Sequence, residues 1–94
     1  MRVINLNGTS TNKCNCDSWF AHWQRFSRQK ANQCVVVGCT NTDLVGGHVQ
    51  KDSALDSSWY IIPICNACNG KKGQTLTVAD EVRLVSANVS QTCG

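Results

Sequence analysis

Proline occurs once in this chain, at Pro63, and aromatic residues make up only 6% of it. No stretch is long and apolar enough to span a bilayer. The opening residues, MRVINLNGTSTNKC, contain no apolar core of the kind a secretory signal carries. Charge of one sign is scarce too: nine Lys and Arg stand against six Asp and Glu, a formal net charge of +3. There are no internal repeats and no low-complexity segments. These absences exclude a membrane span and give no sign of export, so a reducing, cytoplasmic setting is expected. The small positive charge lends little support to nucleic acid as a partner.

What the chain does have is cysteine, seven in 94 residues. A chain of this length makes one domain, residues 1–94, with a small core that usually needs a staple. An odd number of cysteines would leave one thiol outside any set of disulfides. In a reducing compartment the spacing of the others favours metal binding. A mature fragment of an exported precursor would present the same residues, and its cysteines would then form disulfides.

The fold class reads as α+β. Residues 17–30 predict a helix, with Trp19, Trp23 and Phe26 on one apolar stripe and Asp17 or Ser18 as the cap. His22 falls on the border of that stripe, so it reads equally as a core histidine and as a metal ligand. Residues 44–50, LVGGHVQ, predict a strand interrupted by glycines, and residues 59–64 a second strand, with Pro63 near its end. The two should pair as a β-hairpin across a polar connector. Residues 1–13 read as extended or loose and any helix after Cys68 as short; in residues 76–89 Val78, Val82 and Val85 fit a helix while VRLVSANV alternates as a strand, and extended structure is favoured.

Cys34-x4-Cys39 followed by Cys65-x2-Cys68 is the strongest motif. Zn²⁺ takes four soft or borderline ligands in a tetrahedron, and two cysteines two to four residues apart can turn onto one ion. These four are expected to form one structural zinc site. Cys14, Cys16, His22 and His48 are candidates for a second zinc, with Cys93 as an alternative ligand. Four thiolates and one Zn²⁺ bring the net charge from +3 to +1, and a second site of two thiolates and two neutral histidines leaves it there.

The stretches CVVVGC, GGHVQ and YIIPICNACNGKK together resemble the HNH-type treble-clef family over residues 34–72. The resemblance implies a zinc knuckle, a β-hairpin and a short helix. It places His48 at the general-base position of the family's nucleases and Asn69 at a divalent-metal position. Lys72 matches a trailing lysine that would contact phosphate. Gly47 stands where the family carries another metal ligand, and Tyr60 where it carries an asparagine that orients the base. The expected function is therefore a zinc module on this scaffold that binds nucleic acid or a protein without catalysis. Lys71, Lys72, Arg25, Arg28 and Lys30 are its candidate contacts with DNA or RNA. The alternative is a metal-dependent nuclease using His48 and Asn69, its missing ligand supplied by Asp43 or Asp52.

Overall fold

The computed structural model describes residues 1–6, 13–53 and 55–92. Five strands, β1 (Arg2–Asn5), β2 (Leu44–Lys51), β3 (Tyr60–Cys65), β4 (Thr75–Thr77) and β5 (Val85–Ser86), form one antiparallel sheet in the order β4-β1-β2-β3-β5. Two α-helices, α1 (Trp19–Ser27) and α2 (Asn66–Asn69), and a 3₁₀ turn at Val89–Gln91 complete the elements among the described residues. The class is α+β, as expected. Among the described residues no helix is long and apolar enough to cross a membrane.

The expected hairpin is the centre of the sheet, with β2 paired to β3 from Leu44↔Cys65 to Val49↔Tyr60. Strand alternation sends successive side chains of β3 to opposite faces. Ile62 and Ile64 join Val3, Val49, Leu76 and Val78 in one apolar cluster, while Ile61 joins Trp23 and Val85 in another beneath α1. Burying each of these isoleucines stabilises the fold by about 1.5–3 kcal/mol.

The knuckle at residues 34–39 closes over the first of these clusters. Val35 N–H donates to the Pro63 carbonyl at 3.2 Å and Val37 N–H to the Thr77 carbonyl at 2.9 Å, so the knuckle bridges β3 and β4. Gly38 makes its turn with φ +83°, a left-handed conformation that favours glycine. A strand residue's N–H and C=O point the same way, so the missing N–H of Pro63 faces the knuckle, away from β2. There β5, which pairs only with Tyr60 and Ile61, has already ended. This is how one proline fits a strand that is buried on both faces.

Helix α1 begins where Ser18 Oγ accepts the Ala21 N–H at 3.0 Å. It ends at Arg28, whose φ of 58° is left-handed and whose N–H donates to the Gln24 carbonyl. Its buried face differs from the expected stripe: His22, Trp23 and Ser27 are buried, and Trp19 and Phe26 only partly. Gly46 accounts for this. A Cβ there would collide with the backbone and Cβ of Trp19, so the first turn of α1 lies directly on β2 and its indole is turned to the border.

One other expectation becomes specific and one changes. Residues 1–13 contain a sheet strand, β1, between β2 and β4. Residues 76–89 are extended only at their ends. Between them the chain is tied to α1: Trp23 Nε1 donates to the Arg83 carbonyl at 2.8 Å, and the Gln29 amide donates to the Glu81 carbonyl and accepts the Arg83 N–H, both at 3.0 Å. Those bonds hold a turn in place of a ladder.

Candidate metal centres

The sheet and the knuckle bring Cys34, Cys39, Cys65 and Cys68 together, with all four sulfurs within 4.8 Å of one another. Cys39 Sγ lies 3.7 Å from Cys65 Sγ and 4.0 Å from Cys68 Sγ. A zinc tetrahedron with sulfur at about 2.3 Å has edges of about 3.8 Å, so the spacing suits such an ion. Cys34 and Cys39 come from the two ends of the knuckle. Cys65 ends β3 and caps α2, its sulfur accepting the Cys68 N–H at 3.4 Å.

Cys34, Cys65 and Cys68 are each shifted from the ordinary thiol value. Burial raises the Cys65 thiol, but the Cys68 N–H, the Asn41 amide at 3.5 Å and the thiols of Cys68 and Cys39 outweigh it and bring it to about 6. Burial, with the Cys65 and Cys34 sulfurs beside it, pushes Cys68 up to about 12. Burial likewise raises Cys34. The protein alone therefore stabilises one thiolate and resists the next. A divalent cation removes that conflict, because its charge favours deprotonation of every coordinating thiol.

Two supporting residues had no signal in the sequence. One is Asn41, whose Nδ2 donates to Cys65 Sγ. Asn5 lies in the 1–13 segment that reads as extended or loose, yet it is fully buried, and its Nδ2 donates to the carbonyls of Cys68 at 3.1 Å and Asn69 at 3.0 Å. It thus holds the end of α2, and Cys68 with it, against β1.

Cys14, Cys16 and His22 form a second group, their ligand atoms all within 4.8 Å of one another. His22 is fully buried, with Nε2 2.9 Å from the Ser86 carbonyl and Nδ1 3.9 Å from Cys16 Sγ. A carbonyl only accepts, so Nε2 carries the proton and Nδ1 presents its lone pair to the cysteines. This is how a metal-binding imidazole is held from behind. Cys14 and Cys16 are half-buried.

His48, expected beside them, stands outside that group. The Trp19 indole packs edge-on against both imidazoles, with centroids 4.9 Å from His22 and 4.6 Å from His48. His48 is 5% exposed, and its Nε2 has no hydrogen-bond partner among the described residues. Burial, followed by the charges of Lys72 and His22, pushes its pKa down to about 4. Cys93 lies outside the described residues.

Around the positions that the resemblance assigns to catalysis, Asn69 Oδ1 accepts from Lys72 Nζ at 3.1 Å and lies 3.4 Å from where a Cβ on Gly47 would stand. That Cβ would also collide with the Ile64 side chain. The Tyr60 hydroxyl donates to Asp56 at 2.7 Å, a bond that raises the tyrosine and holds the Asp56 carboxyl down at about 2. Asp43 accepts from the Asn66 side chain at 3.0 Å, which lowers its own carboxyl pKa, and Asp52 pairs with Arg2 at 3.4 Å. The basic candidates fall in separate places. Arg25, its guanidinium 5.0 Å over the Phe26 ring, and Arg28 lie on and just after the last turn of α1, with Lys30 following; Lys71 and Lys72 follow α2. No protein-family model matches this chain, and neither does any curated protein or solved structure.

Proposed function

We propose that this chain is a zinc-stabilised module on an HNH-like treble-clef scaffold that binds nucleic acid or a protein partner and does not cut nucleic acid. The observation that carries the reading is the four-sulfur cluster, built from a knuckle and a strand-to-helix junction at the spacing of a zinc tetrahedron. Three observations argue against catalysis. A ligand side chain at position 47 would have to displace Ile64 from the core. The Tyr60 hydroxyl is engaged by Asp56 and does not orient His48. A histidine with a pKa near 4 is a feeble base at neutral pH.

The nuclease reading has one observation in its favour: Gly47, Asn69 and Lys72 are neighbours, as the resemblance requires. One experiment separates the two. Protein purified without added metal is assayed for zinc, for plasmid nicking with Mg²⁺ or Mn²⁺, and for duplex binding across a salt series. Bound zinc without nicking is the expected result. Affinity that falls steeply with salt identifies nucleic acid as the partner, and no affinity at low salt removes duplex nucleic acid from the reading. Nicking that disappears in His48→Ala would replace this reading with the nuclease.

A further inference from the structure

Cys14 and Cys16 stand on the segment before α1 and His22 on its first turn. Their ligand atoms lie within 4.8 Å of one another, the same limit that the four-sulfur cluster meets. The cap of α1 holds two of them on one side: the Ser18 carbonyl accepts the His22 N–H at 2.9 Å and the Cys14 thiol at 3.6 Å. The imidazole is fixed from three directions. The Trp19 and Phe26 rings flank it, with centroids at 4.9 and 5.0 Å, and its Nε2 donates to the Ser86 carbonyl at 2.9 Å. Nδ1 therefore turns its lone pair to the Cys16 sulfur, 3.9 Å away. We propose that Cys14, Cys16 and His22 bind a second zinc ion, with His22 ligating through Nδ1. This second site rests on the zinc-module reading and adds to it.

The spacing suits that ion. A zinc tetrahedron with sulfur at about 2.3 Å and nitrogen at about 2.0–2.1 Å has a sulfur-to-nitrogen edge of about 3.6 Å. The Cys16–His22 separation of 3.9 Å closes to that with a small inward shift. Cys14 moves further: its thiol points at the carbonyls of Ser18 and Cys16, at 3.6 and 3.8 Å, and must turn from them once it has lost its proton. Being only half-buried, it has the freedom to do so. Cys14 and Cys16 line a cleft of about 390 Å³ with Lys13, Asp17, Ser18 and Trp19, by which the ion and a fourth donor reach them. Binding releases two thiol protons to solvent. Two thiolates, a neutral imidazole and Zn²⁺ leave the three-ligand set without net charge. A carbonyl that takes the N–H behind a ligating nitrogen orients the ring and raises its basicity. Here that carbonyl belongs to Ser86 in β5, so the ion ties the segment before α1, through His22, to the edge of the sheet.

The test uses the full chain, purified without added metal and analysed for zinc. Two ions are expected. Cys14→Ser and Cys16→Ser should each hold the second ion at least about 100-fold more weakly in competition with a chelator, since loss of a support behind a ligand already costs about 10–100-fold. Both variants should keep the first ion and a dispersed amide spectrum, because neither residue belongs to the four-sulfur cluster or to the buried core. Two measurements need no variant. In the zinc-loaded wild type, the nitrogen chemical shifts of the His22 ring should show Nδ1 bound to metal and Nε2 protonated. Cys14 and Cys16 should resist iodoacetamide, read by peptide mass mapping, and react once the second ion is removed. A hydrogen bond from the Cys16 thiol to Nδ1 would give the same contact without metal, and it would leave the His22 shifts unmoved by zinc. That result, unchanged zinc affinity in either serine variant, or ready alkylation of the two cysteines in the loaded protein would overturn the proposal. One zinc in the wild type would overturn it while leaving the module reading intact; no zinc would end both.

Discussion

His48 and Asn5 are buried polar side chains that each leave one atom, Nε2 of His48 and Oδ1 of Asn5, without a hydrogen bond among the described residues. His48 is enclosed without a hydrogen bond at Nε2, so the fold tolerates it only as the neutral imidazole. Its folded pKa of about 4 lies below the ordinary imidazole value of 6.5. Between those values the unfolded chain binds the proton and the folded chain does not. The stability His48 allows is therefore intact above about pH 6.5 and is lost as the pH falls towards 4, on the order of 3 kcal/mol over the full interval. Acid also releases zinc, so the comparison must be with a variant that lacks the titration. Urea unfolding of the zinc-loaded protein should weaken more steeply from pH 6.5 to 4 in the wild type than in His48→Gln. Parallel curves would show that His48 charges freely in the folded state. Asn5 is satisfied at Nδ2 and supports two carbonyls at the end of α2. Asn5→Ala takes one bond from each, leaving the Cys68 carbonyl with the Lys71 N–H at 3.1 Å, which should cost about 1–2 kcal/mol and weaken the first zinc by about 10–100-fold. Chelator competition separates this from general destabilisation, because a merely structural role leaves the metal affinity of the folded protein unchanged.

At the scale of elements, the parts legible in the sequence are those whose signal is local. The hairpin was written in β-branched residues around a histidine and a proline, and α1 in its apolar period and its Ser18 cap. The cysteine pairs declared a cluster because ligand spacing is itself a local property. What stayed hidden depends on contacts distant in sequence. β1 carries too few residues for alternation to register, and it becomes a strand through partners at positions 49–51 and 75–77. The segment before β5 is shaped by Gln29 and Trp23, more than fifty residues away. The four-residue α2 has no standing as an isolated helix; Cys65 caps it and Asn5 closes it. Gly46 looked like an interruption of a strand and is instead the seat of α1. Adding one methyl there meets backbone, which cannot rotate aside. Gly46→Ala should thus cost about 1–3 kcal/mol, in the range of overpacked cores. Thermal unfolding together with the near-ultraviolet signal of Trp19 and Trp23 would measure it, and an unchanged melting temperature would mean that α1 does not rest on β2.

At the scale of the whole molecule, metal and fold are hard to separate. A structural zinc contributes on the order of 10 kcal/mol of apparent binding energy, as much as a small domain's entire stability. The first cluster lies between the knuckle, β3 and α2, and three of its four cysteines are buried. The second lies at the edge, with Cys14 and Cys16 half-buried and only His22 inside. A chelator reaches the edge first. Graded chelation should therefore remove the metal in two steps. The first should release the segment around Cys14 and Cys16 and loosen the start of α1, while the amides of β2 and β3 stay protected from hydrogen exchange. The second should unfold the sheet, because without its ion the first cluster keeps one favourable thiolate at Cys65 and buries the raised thiols of Cys34 and Cys68. In Cys68→Ser that end state should be present from the outset, with a collapsed amide spectrum even in added zinc. Release of both ions in one step, with exchange rising everywhere together, would show that the two centres stabilise a single cooperative unit.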